Sequence, residues 1–172
     1  MSGNEIAVKC SGITKTFGGV VANDDINLEV KYGEILALLG ENGSGKTTLM
    51  NMLSGIYHPD KGTIAISGKT VAINSPKDSI ALGIGMIHQH FKLVEVFTAA
   101  DNIVAGTKGS LKGKGAVRDE INKISEQLGL EVDPDKKVYN MSVSEKQTVE
   151  ILKVLYRGAK ILILDEPTAV LT

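Results

Sequence analysis

Nine residues, Gly40-Glu41-Asn42-Gly43-Ser44-Gly45-Lys46-Thr47-Thr48, follow directly on the unbroken apolar run 35–39, and no other stretch narrows the possible folds as far. A continuous apolar run of this length reads as a strand buried on both faces, the habit of parallel sheets covered by helices. Gly40, Gly43 and Gly45 admit backbone angles closed to other residues, so the loop can turn its N–H groups inward before a helix opens near Lys46. Inward amides and a helix N-terminus together make a cradle for phosphates, with Asn42 and Ser44 completing the loop. Lys46 is then expected to reach the β/γ oxygens, Thr47 to offer its hydroxyl to Mg²⁺, and Thr48 to touch the α-phosphate. The competing reading, a glycine turn that merely joins strand to helix, leaves the lysine and the two threonines without a reason to stand there.

Composition adds bounds rather than detail. A chain of 172 residues with 42% hydrophobic and 23% charged residues and a net charge of −1 fits one globular α/β domain. Neither sign of charge dominates, so nucleic acid is not expected as an electrostatic partner. No apolar run approaches the ~18 residues that span a bilayer, and the polar start Met-Ser-Gly-Asn-Glu does not read as a signal peptide. Cys10, the single cysteine, falls in an alternating stretch and reads as a buried strand thiol.

Along the chain, 5–14 and 26–30 alternate like antiparallel strands around the turn Phe17-Gly18-Gly19. A helix is expected over 46–54, stopped at Gly55, followed by strands at 63–66 and 84–87. From about Phe91 the pattern turns helical: Val117, Ile121, Ile124 and Leu128 recur at helical spacing up to Gly129, and a second helix is expected over 144–157. The stretch 106–115, with four glycines and three lysines, reads as a solvated connection. A last buried strand, 160–164, ends in Asp165-Glu166. Two acids at the carboxyl end of such a strand lie where open α/β sheets bind ligands. Asp165 is expected to hold Mg²⁺ through water, and Glu166 to act as the base or water-orienting group at the γ-phosphate.

With these motifs in this order the chain resembles the ATP-binding domain of ABC transporters, from its N-terminus through the loop after Glu166. The resemblance implies a P-loop NTPase (RecA-like) core with an antiparallel β layer over 1–90 and 159–172, and a helical subdomain over 91–158. It implies ATP and Mg²⁺ as ligands, with Phe17, 23 positions before Gly40, stacking on adenine and Gln89 sensing Mg²⁺ and the membrane partner. Taken alone, Phe17 is more often a turn-packing hydrophobe and Gln89 an exposed polar residue. The flanking His88 and His90 lack a third ligand at metal spacing.

The family's signature peptide, Leu-Ser-Gly-Gly-Gln, is replaced here by Met141-Ser142-Val143-Ser144-Glu145. Ser142 is carried over as the residue that grips a phosphate bound to the opposite domain of a head-to-tail pair. The same residues spell a capping box, in which Glu145 would satisfy a free N–H and offset the helix dipole. That arrangement weakens anion attraction, so reduced activity is expected at the site this segment completes.

The altered signature, together with Thr172 after Pro-Thr-Ala-Val-Leu, resembles importers of simple sugars and nucleosides, whose ATPase chains carry two such domains in tandem; residues 85–94 lean towards the nucleoside branch. The implied partners are a second ATP-binding domain, transmembrane permease subunits at the cytoplasmic face of the membrane, and indirectly an extracellular solute-binding protein. Val94 to Ile103, with Phe97, is where relatives meet their membrane subunits, although the same residues could simply pack the helical subdomain. Relatives also continue to further strands and a switch histidine that His58 cannot replace. The chain therefore reads as a truncated N-terminal half, weak in hydrolysis by itself. Its alternative role is a regulatory nucleotide-binding half whose tandem partner hydrolyses. A soluble ABC protein of translation or DNA repair would call for basic patches or inserted coiled coils, which this sequence does not contain.

Overall fold

A computed structural model describes residues 5–88, 91–107 and 113–165 and divides the chain into two compact units, 1–84 and 85–172. The first is built round a four-stranded sheet of order β2-β1-β3-β4, formed by β1 (Ile6–Phe17), β2 (Val20–Lys31), β3 (Lys61–Ile66) and β4 (Lys69–Val71). Every pairing is antiparallel: Cys10 stands opposite Leu28 on one side and Ile64 on the other, and Ile64 opposite Val71. The expected alternation holds for Val8 and Cys10 and for Ile64 and Ile66, all buried, but Ala7 beside Val8 is buried too, and a register shift between Cys10 and Ile13 changes the parity so that Ile13 is also buried. Burial pushes the Cys10 thiol up to about 11, which makes it an inert packing residue.

Helix α1 (Lys46–Leu53) follows the glycine loop and buries Leu49, Met52 and Leu53, and Gly55 ends it in a left-handed turn with φ of 77°. Helix α2 (Pro76–Ala81) is capped by Ser75 and tied to α1 by the Ser79 hydroxyl, which donates to the Leu53 carbonyl at 3.0 Å.

One expectation fails here. The run 35–39 is not a strand, and it is open to solvent: Ile35 is 99% and Leu39 92% exposed. An apolar run becomes a buried strand only where neighbours hydrogen-bond to both of its edges, and among the described residues no strand does so.

The second unit contains all but the first residue of β5 (Ile84–Ile87), which pairs with β6 (Ile161–Leu164), and helices α3 (Ala99–Val104), α4 (Lys114–Leu128) and α5 (Val143–Tyr156), with a 3₁₀ turn at Val138–Asn140. Helix α4 starts inside the stretch expected to be a connection, and Gly129 closes it at φ 64°. Its predicted stripe is graded: Val117 and Ile121 are buried, Ile124 packs at the margin, and Leu128 is exposed. Val117 and Ile121, with Ile124 against them, share one apolar core with Ala99, Ile103, Val138, Met141, Val149 and Leu152. The last strand is less enclosed than its sequence suggests, with Ile163 buried but Leu162 40% exposed. Strand β5 runs close against α5: a Cβ on Gly85 would meet the Val154 Cβ at 2.9 Å.

Candidate nucleotide-binding site

The glycine loop takes the conformation its sequence calls for. Gly45 sits at φ 86°, and a Cβ there would lie 2.2 Å from the Ala22 carbonyl oxygen, so only glycine fits against β2. The Asn23 side chain secures this approach by donating to the Gly45 carbonyl at 3.2 Å. Its own Oδ1 is buried without a partner among the described residues. The Lys46 ammonium folds back over the loop and donates to the carbonyls of Gly40 at 2.7 Å and Glu41 at 2.8 Å, and to the Ser44 hydroxyl at 3.2 Å. Asn42, Gly43 and Ser44 form the exposed tip, with the Ser44 N–H turned to the Glu41 carbonyl. Thr47 is exposed and Thr48 half-buried in the first turn of α1.

How the helices begin shows what the loop can accept. Helices α2, α3 and α5 each start at a serine or threonine that caps the first turn, with an acid three residues on. Helix α1 starts at Gly45 with no side-chain cap and no acid in its first turn. Its amide dipoles are therefore offered to an outside anion, with a lysine beside them and a glycine loop in front. Helix α4 also starts uncapped, but without such a loop. Triphosphate fits this donor set, because uncapped amides and an ammonium are what phosphate oxygens accept from.

In the same unit Phe17 closes β1 and is 41% exposed, its ring centroid 5.0 Å from that of Tyr57 in a T-shaped contact. The Lys15 ammonium lies 5.4 Å from the centre of the Phe17 ring.

In the second unit Asp165 follows β6, and its N–H donates to the Ile87 carbonyl at 3.1 Å, which brings the ends of β5 and β6 together. Gln89 and Glu166, the sensing glutamine and the base expected from sequence, lie outside the described residues. Among the described residues no group of three or more His, Cys, Asp or Glu is arranged as a metal cage. Thr47, Gln89 and Asp165, expected from sequence to hold Mg²⁺, are of another kind, one hydroxyl, one amide and one carboxylate, oxygen donors that such a cation would take together with waters and phosphate oxygens.

The capping box at α5 is present. The Ser142 N–H donates to Glu145 Oε2 at 2.8 Å, and the Glu145 N–H donates to the Ser142 hydroxyl at 3.2 Å. Sequence reasoning missed Lys136, which binds Glu145 Oε1 at 2.5 Å. The Lys136 bond, then the Ser142 amide, hold the Glu145 carboxyl well down, to about 2. Sequence reasoning also missed Tyr57 and Asn23, whose partners are remote along the chain and announce themselves by no motif.

The segment after Gln89 divides between the two roles open to it. Ala99 and Ile103 are fully buried, while Val94, Val96 and Phe97 are exposed, and Tyr139 beside them is 59% exposed. Asn102 holds this ledge in shape. Its Oδ1 accepts from the Val94 N–H at 2.8 Å, and its Nδ2 donates to the carbonyls of Val94 and Thr98 at 3.1 and 3.0 Å. Among the described residues no helix is long and apolar enough to cross a membrane.

Known proteins resemble this chain in sequence and in fold. The chain is 53% identical over 172 residues to the nucleoside import ATP-binding protein NupA of Lactococcus lactis subsp. cremoris, a match covering 98% of this chain and 34% of that protein. It is 54% identical to the guanosine import ATP-binding protein NupO of Bacillus subtilis, with the same coverage, and 42% identical to a ribose import ATP-binding protein RbsA of Streptomyces avermitilis. It thus spans about a third of the length of these relatives. Among solved structures, the ADP conformation of the ATP-binding cassette MJ1267 matches with a TM-score of 0.84 at 27% identity, covering 97% of this chain and 71% of that one. CbiO1 of Clostridium perfringens matches at 0.82 and 30% identity, covering 98% of this chain and 68% of that one. The family model described as ABC transporter matches residues 23–169, from the asparagine that holds Gly45 to the residues after Glu166, and the chain belongs to that family.

Proposed function

We propose that this chain is the nucleotide-binding part of an ATPase that drives import of nucleosides through membrane-embedded partner subunits. The observation that carries the reading is the uncapped start of α1 behind the glycine loop, with Lys46 folded over it. Identity of 53% and 54% to relatives named for nucleoside and guanosine import favours nucleosides over sugars as cargo.

In this reading Gly40, Asn42, Gly43, Ser44, Gly45, Lys46, Thr47 and Thr48 hold the triphosphate of ATP, and Phe17 stacks on its base. Thr47 and Gln89, with Asp165 through water, would hold Mg²⁺, which when bound neutralises phosphate charge. Glu166 accepts a proton from the attacking water; the oxygen of that water bonds to the γ-phosphorus as the bond to the bridging oxygen breaks, releasing ADP and phosphate. Lys46 and the α1 amides stabilise the charge that builds on the phosphate oxygens, and Gln89 relates the site to the permease. Residues 1–90 with 159–172 serve as the nucleotide-binding core and 91–158 as the helical part, whose Val94–Phe97 ledge meets the permease at the cytoplasmic face of the membrane. A second ATP-binding domain supplies the opposing face, and Ser142 reaches the phosphate held there. An extracellular solute-binding protein delivers the cargo to the permease.

The capping box favours one variation. Glu145 places a carboxylate where a phosphate would approach α5, so the site completed by Ser142, whose phosphate the second domain holds, is the slower of two; the alternative role of this half is to hold nucleotide while its tandem partner hydrolyses. Calorimetric titration with Mg-ATP, alongside phosphate release by the full transporter with Glu166→Gln, tests both readings. The ATPase reading expects saturable binding and release abolished by Glu166→Gln. Binding with release unchanged by that substitution would leave only the regulatory role, and no binding by the full chain would overturn both.

A further inference from the structure

Phe17 stands at the tip of a hairpin, where an aromatic ring is ordinarily free to turn. Here it is braced from a distant part of the chain. Tyr57 meets it at 5.0 Å with an interplanar angle of 68°. The turn that carries Tyr57 also straps the end of β1: the Asp60 N–H donates to the Thr14 carbonyl at 2.8 Å, and the Asp60 carboxylate accepts from the Lys15 ammonium at 2.8 Å and the Thr16 N–H at 2.7 Å. The Lys15 ammonium so held lies 5.4 Å from the Phe17 ring centre. Tyr57 is itself fixed to α1, for its N–H and that of Ile56 both donate to the Asn51 carbonyl, at 3.1 and 2.9 Å.

Helix α1 therefore has the phosphate loop at one end and the brace for Phe17 at the other. We infer that Tyr57 is a positioning residue for the nucleobase, setting the Phe17 ring at a fixed place relative to the phosphate loop through the C-terminal end of α1. This rests on the reading that Phe17 stacks on the base. A ring already ordered loses little freedom when the base arrives, whereas an unbraced ring must be ordered at the cost of affinity. The contribution belongs to the base, because the phosphate contacts come from the other end of the helix and do not involve Tyr57.

The test compares ATP with inorganic tripolyphosphate as ligands of the full chain, in the presence of Mg²⁺. Tyr57→Ala is expected to weaken ATP binding about three- to tenfold, the range of one aromatic pair, and to leave tripolyphosphate unchanged. Tyr57→Phe, which keeps the ring, should retain wild-type affinity for both. Should the alanine variant fail to fold, Tyr57→Leu gives the same comparison with the bulk kept. Equal weakening of both ligands would mean that Tyr57 only supports the fold, and would overturn the inference. So would unchanged ATP binding in Tyr57→Ala beside a loss in Phe17→Ala, which leaves the stacking role of Phe17 standing. If Phe17→Ala binds ATP as the wild type does, the stacking reading falls and the inference with it.

Discussion

Replacing Glu145 with glutamine should separate stability from activity in opposite directions. The amide oxygen of glutamine can still accept from the Ser142 N–H, so the capping geometry survives; the negative charge facing Lys136 and the start of α5 does not. The Glu145 carboxyl is drawn down from 4.5 to about 2, chiefly by Lys136. At about 1.36 kcal/mol per pH unit that shift corresponds to a ceiling of about 3 kcal/mol. Both side chains of the pair are one-third exposed, and screening at such a site reduces the figure to about 1 kcal/mol. A carboxylate whose folded value is depressed stabilises fully above its unfolded value and loses that effect as pH falls through the folded value. Glu145→Gln should therefore cost about 1 kcal/mol at pH 7, nearly as much at pH 5.5, and less than half as much at pH 3. Urea denaturation of the two proteins at these pH values, with equal slopes, reads the difference. In the assembled transporter, the charge removed from beside Ser142 should raise the rate of ATP hydrolysis up to about fivefold, the effect of one like charge some 4 Å away in water. A stability difference that does not change between pH 7 and pH 3 would refute the charge argument, and a fall in ATPase rate would refute the blocking role.

Gly45→Ala should be among the most damaging single changes to the first unit, because it combines a φ of 86° with a Cβ 2.2 Å from the Ala22 carbonyl oxygen; a loss of about 2–4 kcal/mol in chemical denaturation and undetectable ATP binding are expected. Lys46→Ala should abolish ATP binding, measured by calorimetry, with the far-UV spectrum unchanged; retained binding would show that the loop amides suffice. Asn102→Ala removes three hydrogen bonds from a buried site and should cost about 2–3 kcal/mol, with faster amide exchange at Val94 and loss of permease assembly before loss of ATP binding.

What could be read in the sequence was whatever depends on neighbours along the chain. The glycine loop, the left-handed stops at Gly55 and Gly129 and the capping box of Ser142 and Glu145 are all local, and each appears where expected; the antiparallel pair is present too, but its strands run on to Phe17 and start again at Val20, well beyond the expected 5–14 and 26–30. Residues 35–39 show the limit of that reasoning, since apolar character predicts burial only if something else supplies the cover. Tyr57 beside Phe17, Asn23 beneath Gly45 and Lys136 against Glu145 were illegible for a related reason. Each role is created by tertiary approach, and nothing in the residue type distinguishes these three from others of their kind.

The open ribbon at 35–39 makes the stiffness of the phosphate loop negotiable. The loop is anchored downstream by α1 and Asn23 but upstream by a segment that no described strand holds. Any strand that hydrogen-bonds to that ribbon would steady Gly40 and Glu41, whose carbonyls hold the Lys46 ammonium. By thermodynamic reciprocity a bound triphosphate would then strengthen the strand pairing by the same factor. Pairing of that ribbon and nucleotide affinity would then be two readings of one equilibrium.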